Sequence, residues 1–299
     1  FVVVQIVPWV PKGVLTMLYL AWEWRCLGSL AGPFVAQSSS FLECISDPLG
    51  PPMTYEVAVL VANLLNSIEK EVAWPTQILT NIIVLMGKPA GGVRPIALMP
   101  MLYRLWTKVR RDEIRQWDFG HTGPWDAAIR GQSALRAAIM GTMFDEVHTL
   151  NNKAISTVLW DMEKFYDNID ILKLSTKAMD VEYPMMVYTL GIQMHMAPRA
   201  LKAYDCNAYI NIPSNGIIAG CVQSNYLARV MLFSIMQALW DQATGPTSTH
   251  MTNTYLRTFV DDIRYSEAGP PDEVYQAIAQ NSDFLASELK EAGCVISIK

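Results

Sequence analysis

The chain has 299 residues, 51% of them hydrophobic, and a net charge of −5. That is enough apolar material for one large domain or two subdomains, and the acidic balance argues mildly against nucleic acid, whose phosphates draw on Lys and Arg. Five scattered cysteines, Cys26, Cys44, Cys206, Cys221 and Cys294, form no C-x-x-C pair, so neither a zinc site nor a disulfide framework is expected, and the default compartment is intracellular, nuclear or cytoplasmic. Residues 13–22 are uncharged but too few to cross a bilayer, and Pro8, Pro11, Lys12, Glu23 and Arg25 flank them. The uncharged stretch 206–228 is interrupted by Asn, Ser, Pro and Gly, and the opening lacks the charge layout of a signal peptide. No membrane association is expected. A start at Phe1 and an end at Lys299 read as an excerpt of a longer protein.

Residues 55–72 carry a helical apolar period in Val57, Val61, Leu64, Leu65 and Ile68, and Trp74-Pro75 closes that segment. Ile78 to Leu85 reads as a strand, Gly91-Gly92 as a turn and Val93 to Leu98 as a second strand. Met101 to Trp117 is expected to be one helix, 118–127 a loop, and Ser133 to Val147 a further helix. Between Lys88 and Arg111 lie Lys88, Arg94, Arg104, Lys108, Arg110 and Arg111 with no acidic residue, a basic stretch suited to a phosphate backbone or to a solvated helix face.

Residues 154–161 form a predicted strand ending in Asp161, followed by helices over 170–180 and 184–204 and an extended run over 207–213. A helix is expected from Ser224 to Trp240, a hairpin over 254–266, a helix from Asp272 to Ala292 and a short strand from Val295 to Ile298. Strands and helices interleave without a regular βα period, which favours an α+β fold over a doubly wound sheet. The four histidines have no ligand spacing, and Met185, Met186, Met194 and Met196 read as core.

Two acidic clusters a hundred positions apart carry the chemistry. Asp161 ends the run Thr157-Val158-Leu159-Trp160, and Asp261-Asp262 follow Phe259-Val260. If these runs are neighbouring strands, three carboxylates meet at one sheet edge, where they repel unless cations intervene. Two divalent ions, Mg2+ or in its place Mn2+, would create a site for in-line nucleotidyl or phosphoryl transfer. A two-residue hairpin loop prefers Asn-Gly or Asp-Gly, so Asp261-Asp262 as the turn departs from local preference, the mark of a functional site.

The order of motifs resembles the reverse transcriptases, in the broad group that includes group II intron and non-LTR retroelement enzymes. Asp161 with Tyr166 five places later resembles the first palm motif, and Phe259-Val260-Asp261-Asp262 the aromatic-x-Asp-Asp motif. Gly220-Cys221-Val222-Gln223-Ser224 resembles the segment Q-G-x-x-x-S-P between them, with Ala219 for its Gln and Asn225 for its Pro. Lys88-Pro89-Ala90-Gly91-Gly92-Val93-Arg94-Pro95-Ile96 and Arg130-Gly131-Gln132-Ser133 resemble two fingers motifs, and Lys299 the lysine that follows the catalytic hairpin.

The resemblance implies right-hand polymerase architecture: fingers over 1–152, a palm over 153–299 whose antiparallel sheet is backed by helices, and a thumb beyond the chain. It implies Asp161, Asp261 and Asp262 as catalytic residues, with the Met162 carbonyl beside Asp161 and Asp261 as metal ligands. Lys88, Arg94, Phe165, Tyr166, Gly220, Ser224 and Lys299 fall at the nucleotide. Arg104, Lys108, Arg110 and Arg111 fall on the nucleic acid. The implied partners are an RNA template, a DNA or RNA primer and deoxynucleoside triphosphates. An RNA-dependent RNA polymerase shares the palm but places an acidic residue near the sugar and an Asn four places after its Ser or Thr, where this chain has Tyr166 and Ala228. A catalytically silent, maturase-like RNA-binding module is the third reading, and the joint presence of Asp161, Asp261, Asp262, Lys88 and Arg94 argues against it.

Overall fold

The computed structural model describes residues 55–87, 91–203, 206–210, 213–246 and 252–297. These form two compact units, one from the described residues up to Trp117 together with Ser175–Ser224, the other from Asp118–Leu174 and from Asn225 onward.

The first unit is built on a four-stranded mixed sheet in the order β2-β1-β4-β5. Strand β1 (Asn81–Gly87) pairs antiparallel with β2 (Val93–Leu98) and parallel with β4 (Arg199–Ala203), which pairs antiparallel with β5 (Cys206–Ile210). The predicted strand from Ile78 starts later because Thr76–Ile78 coils into a short 3-10 turn. Helix α1 (Tyr55–Glu71) buries Leu65 and Ile68 of the expected apolar stripe together with Ala58 and Ala62, while Val57 and Leu64 are exposed. The core centres on Trp74, Tyr103 and Trp106, with Trp74 edge-on to both partners. Each buried indole has a polar outlet: Trp74 Nε1 donates to the Leu190 carbonyl and Trp106 Nε1 to Glu69.

The expected single helix over 101–117 is two, α2 (Met101–Val109) and α3 (Arg111–Gly120). They break at Arg110, with φ −84° and ψ 3°, whose guanidinium is held by both oxygens of Glu69. The expected helix over 184–204 is also corrected. Helix α7 (Met185–His195) ends before Pro198, which disfavours helical geometry at Ala197, and the next residues join the sheet as β4. Helix α6 (Ile171–Asp180) precedes it as expected, and Met185, Met194 and Met196 are buried.

The second unit holds a three-stranded antiparallel sheet in the order β3-β7-β6, with β3 at Ala154–Trp160, β6 at Asn253–Phe259 and β7 at Asp262–Gly269. Trp125 to Ala127 extends its edge: the Thr258 N–H donates to the Trp125 carbonyl, and the Ala127 N–H to the Thr258 carbonyl. Period-2 alternation divides the faces. Tyr255 and Arg264 meet helix α4 (Ala134–Leu150) through the Ala137 carbonyl and the Asp145 carboxylate. A Cβ at Gly141 would stand 2.7 Å from the Arg264 guanidinium, so glycine gives that side chain room to lie against α4. On the other face Tyr265 meets helix α9 (Pro271–Ala292) through Asn281. Helix α8 runs over Ser224–Thr244 and the single-turn α5 over Phe165–Asn168. Of the predicted last strand, the described residues form one bridge, Ile296 with Met162, and Ile298 lies outside them. No helix among the described residues is long and apolar enough to cross a membrane.

Candidate active site

The central strand of the second unit gathers the acidic residues. Pairing of β3 with β7 runs to Trp160 and Ile263, so Asp161 stands one residue past the end of β3, beside the start of β7. The β6–β7 hairpin closes on Phe259 and Asp262, which leaves Val260-Asp261 as its two-residue loop. The expected turn at Asp261-Asp262 is thus shifted by one: Asp262 is a strand residue and Asp261 alone of the pair is in the turn. Val260 takes the left-handed conformation, φ 61°, which a β-branched residue rarely adopts. Its cost is tolerated where surrounding structure fixes the loop, as at catalytic turns.

Asp261 is half-buried, and its carboxyl is pushed up, first by that burial and then by the negative charges of Asp262 and Asp161. Asp261 thus feels the charge of both other carboxylates. The Asp161 carbonyl accepts from the Ser297 N–H at 2.8 Å, and the Glu163 N–H donates to the Val295 carbonyl at 2.8 Å, pinning the backbone on both sides of Met162. Neither bond uses the Met162 carbonyl. Among the described residues no three His, Cys, Asp or Glu side chains form a ready-made cage for a metal. An open edge of oxygen donors fits a hard divalent ion that keeps water or substrate oxygens in its shell.

Tyr166 lies on α5, entered through Lys164 in the left-handed region at φ 45°. Phe165 is buried in the core, with its ring edge-on to Tyr166 at 5.4 Å between centroids. The Tyr166 phenol is pushed up to about 12 by burial and by the charge of Asp261, which places it beside the acidic turn. Its hydroxyl donates to Asn225 Oδ1 at 2.9 Å. Next to this turn a cavity of about 30 Å³ is lined by Trp125, Asp126, Asn225, Arg229, Thr258 and Val260. Arg229, in its lining, donates to Asp126 at 2.8 Å and to Asp118.

Gly220 and Ser224 belong to the first unit. Gly220 has φ 86° and nothing within 4 Å of where a Cβ would sit, so its backbone is open to an approaching group. Ser224 is buried and its hydroxyl donates to the Ile218 carbonyl at 2.5 Å, so the side chain clamps its own loop and is not presented to a ligand. Arg94 pairs opposite Met86 through its backbone. Lys88 and Lys299 lie outside the described residues. In the basic stretch Arg104, Lys108 and Arg111 are exposed, but Arg110 is spent on Glu69 and Glu113 and leaves the nucleic-acid set. Arg115, one turn beyond Arg111 on α3, is also exposed and lies 3.6 Å from Asp112.

A family model described as reverse transcriptase (RNA-dependent DNA polymerase) matches residues 86–299. The chain belongs to the reverse transcriptase family. Solved structures similar to it include three of telomerase from Candida tropicalis. The apo enzyme truncated from its C-terminal domain is 12% identical with a TM-score of 0.50, covering 74% of this chain and 49% of that one. The complex with a TWJ fragment of telomeric RNA is 11% identical with a TM-score of 0.53, covering 79% and 44%. A further structure of the apo enzyme is 14% identical with a TM-score of 0.50, covering 82% and 48%. At these identities the likeness is one of fold: the mixed α+β architecture of the reverse transcriptase fingers and palm. The chain spans less than half the length of these telomerases. No curated protein matches it.

Sequence reasoning about a reverse transcriptase missed Asn225, which it met only as a departure from the S-P pattern. That departure was itself the signal, because an amide can accept the Tyr166 hydroxyl and a proline side chain cannot. It also missed the Asp118–Arg229–Asp126 bridge and the role of Val295 to Ser297, for which spacing in the chain offers no sign.

Proposed function

We propose that this chain carries the nucleotidyl-transfer site of an RNA-directed DNA polymerase of a retroelement, adding deoxynucleotides to a primer 3′-hydroxyl along an RNA template. The observation that carries the reading is the joining of Asp161, Asp261 and Asp262 at one end of β7, with Tyr166 alongside.

Asp161 and Asp261, with the Met162 carbonyl, would hold two magnesium ions, for which manganese can substitute; when bound, these ions lower the pKa of the primer hydroxyl and offset charge on the transferring phosphate. Asp262, held in strand register, keeps the local field negative without occupying the turn. The Tyr166 ring fills the space a 2′-hydroxyl would need, with Phe165 behind it fixing its plane. Gly220 offers open backbone to the nucleotide. Lys88 and Arg94 grip the incoming triphosphate, Arg94 through the planar fork that suits phosphate. Lys299 protonates the departing pyrophosphate. Arg104, Lys108, Arg111 and Arg115 form a charged stripe for the template backbone.

Primer extension on an RNA template, with magnesium and either deoxy- or ribonucleotides, tests this reading. Templated products from deoxynucleotides support it. Products from ribonucleotides alone would transfer the chain to the RNA polymerases, and RNA binding without extension would make it a silent binding module.

A further inference from the structure

We infer that Asn225 is a positioning residue for sugar selection, holding the Tyr166 ring in place through its side-chain oxygen. This rests on the proposed polymerase reading and deepens it. Tyr166 sits on a helix of four residues, Phe165–Asn168. One turn is too short to hold its own geometry, so the ring must be fixed by what it touches. Two contacts do so. Phe165, itself buried, meets the ring edge-on at 5.4 Å, and Asn225 accepts the hydroxyl at 2.9 Å. The first sets the plane of the ring and the second its far end. A phenol has one rotatable hydroxyl and two ring torsions, so a face contact and an end contact together leave it a single orientation.

Asn225 is suited to the task. It is the second residue of α8, and its neighbour Ser224 is buried and bonded to the Ile218 carbonyl. The acceptor is thus mounted on a long helix whose start is pinned. Asn225 also lines the cavity that Val260 lines, so the tyrosine's anchor and the strained residue before Asp261 border the same space. Tyr166 feels the charge of Asp261. Asn225, Tyr166 and Asp261 are therefore linked in one small region of the second unit. A side chain that keeps a ring against the sugar decides how firmly an added hydroxyl is excluded, without touching the nucleotide itself.

The test is a double-mutant cycle between Tyr166→Phe and Asn225→Ala, read as the ratio of kcat/KM for a deoxynucleotide to that for the matching ribonucleotide. Each single variant should lower this ratio by about five-fold, the worth of one ordinary hydrogen bond, and the double variant should lower it no further. Asn225→Ser, which keeps a hydroxyl acceptor, should retain part of the ratio and serves where the alanine variant folds poorly. A merely structural asparagine would slow both sugars alike and leave the ratio unmoved. An unchanged ratio in active Asn225→Ala and Asn225→Ser, or effects that add in full, overturns the inference while the polymerase reading stands. A wild type that extends no primer overturns both.

Discussion

Phe259 and Asp262 form the closing pair of the β6–β7 hairpin, and everything between them is the strained Val260 and the half-buried Asp261. A β-branched residue at φ 61° costs stability that glycine in the same conformation would not. The loop is therefore held against its own preference by its surroundings. Val260→Gly should raise the urea midpoint by an amount worth about 1 kcal/mol, because the backbone strain is released. It should also lower primer extension by about tenfold, because Asp261 is then less firmly placed. A lower midpoint together with full activity would show that the turn stores no strain and fixes no carboxylate.

The basic stripe and Arg110 should separate cleanly. Arg104→Ala with Lys108→Ala should flatten the slope of log affinity for single-stranded RNA against log salt by roughly 0.7 per lost contact. Arg110→Ala should leave that slope alone and cost about 3 kcal/mol of stability, because Glu69 loses its partner in a site where the two side chains are only 16% and 12% exposed. Salt-dependence measurements and urea unfolding on the same variants decide the matter. Equal slopes in wild type and the double variant would return the stripe to a solvated face.

His195 makes the first unit sensitive to acid. The ring is fully buried, its Nδ1 accepts from the Ile218 N–H at 2.9 Å, and burial, with the charge of Arg199 second, pushes its pKa down to about 3. The folded value lies below the unfolded value of about 6.5, so the unfolded chain takes up a proton that the native chain refuses. Stability contributed by this group is complete above pH 6.5 and is lost as pH falls towards the folded value. Between pH 6.5 and pH 5 the loss should be about 2 kcal/mol, and His195→Gln should remove this component of the slope. A wild-type urea midpoint that does not fall over this interval would contradict it.

The acidic end of the sheet was legible because a strand ending in Asp and a hairpin carrying Asp-Asp are local patterns that bring their residues together through simple antiparallel pairing. The one-residue shift of the turn was not, since it depends on Val260 accepting a conformation that propensity forbids. The run 199–203 reads as the end of a helix by composition, but Pro198 and the open edge of β1 draw it into the sheet. Arg110 looked like its basic neighbours because its partner Glu69 lies 41 positions away, beyond any local window. Ser224 matched its motif by type, yet a buried bond to Ile218 takes its hydroxyl.

The central claim is that Asp261 belongs to the set of carboxylates that performs nucleotidyl transfer. The most direct measurement is RNA-templated primer extension with magnesium and deoxynucleotides by wild type and Asp261→Asn, alongside circular dichroism and urea unfolding of both. The account predicts templated extension by wild type and its loss, by at least about a thousandfold, in a variant whose fold is intact, because one anionic oxygen ligand is gone. Extension near the wild-type rate by a folded Asp261→Asn protein would contradict it.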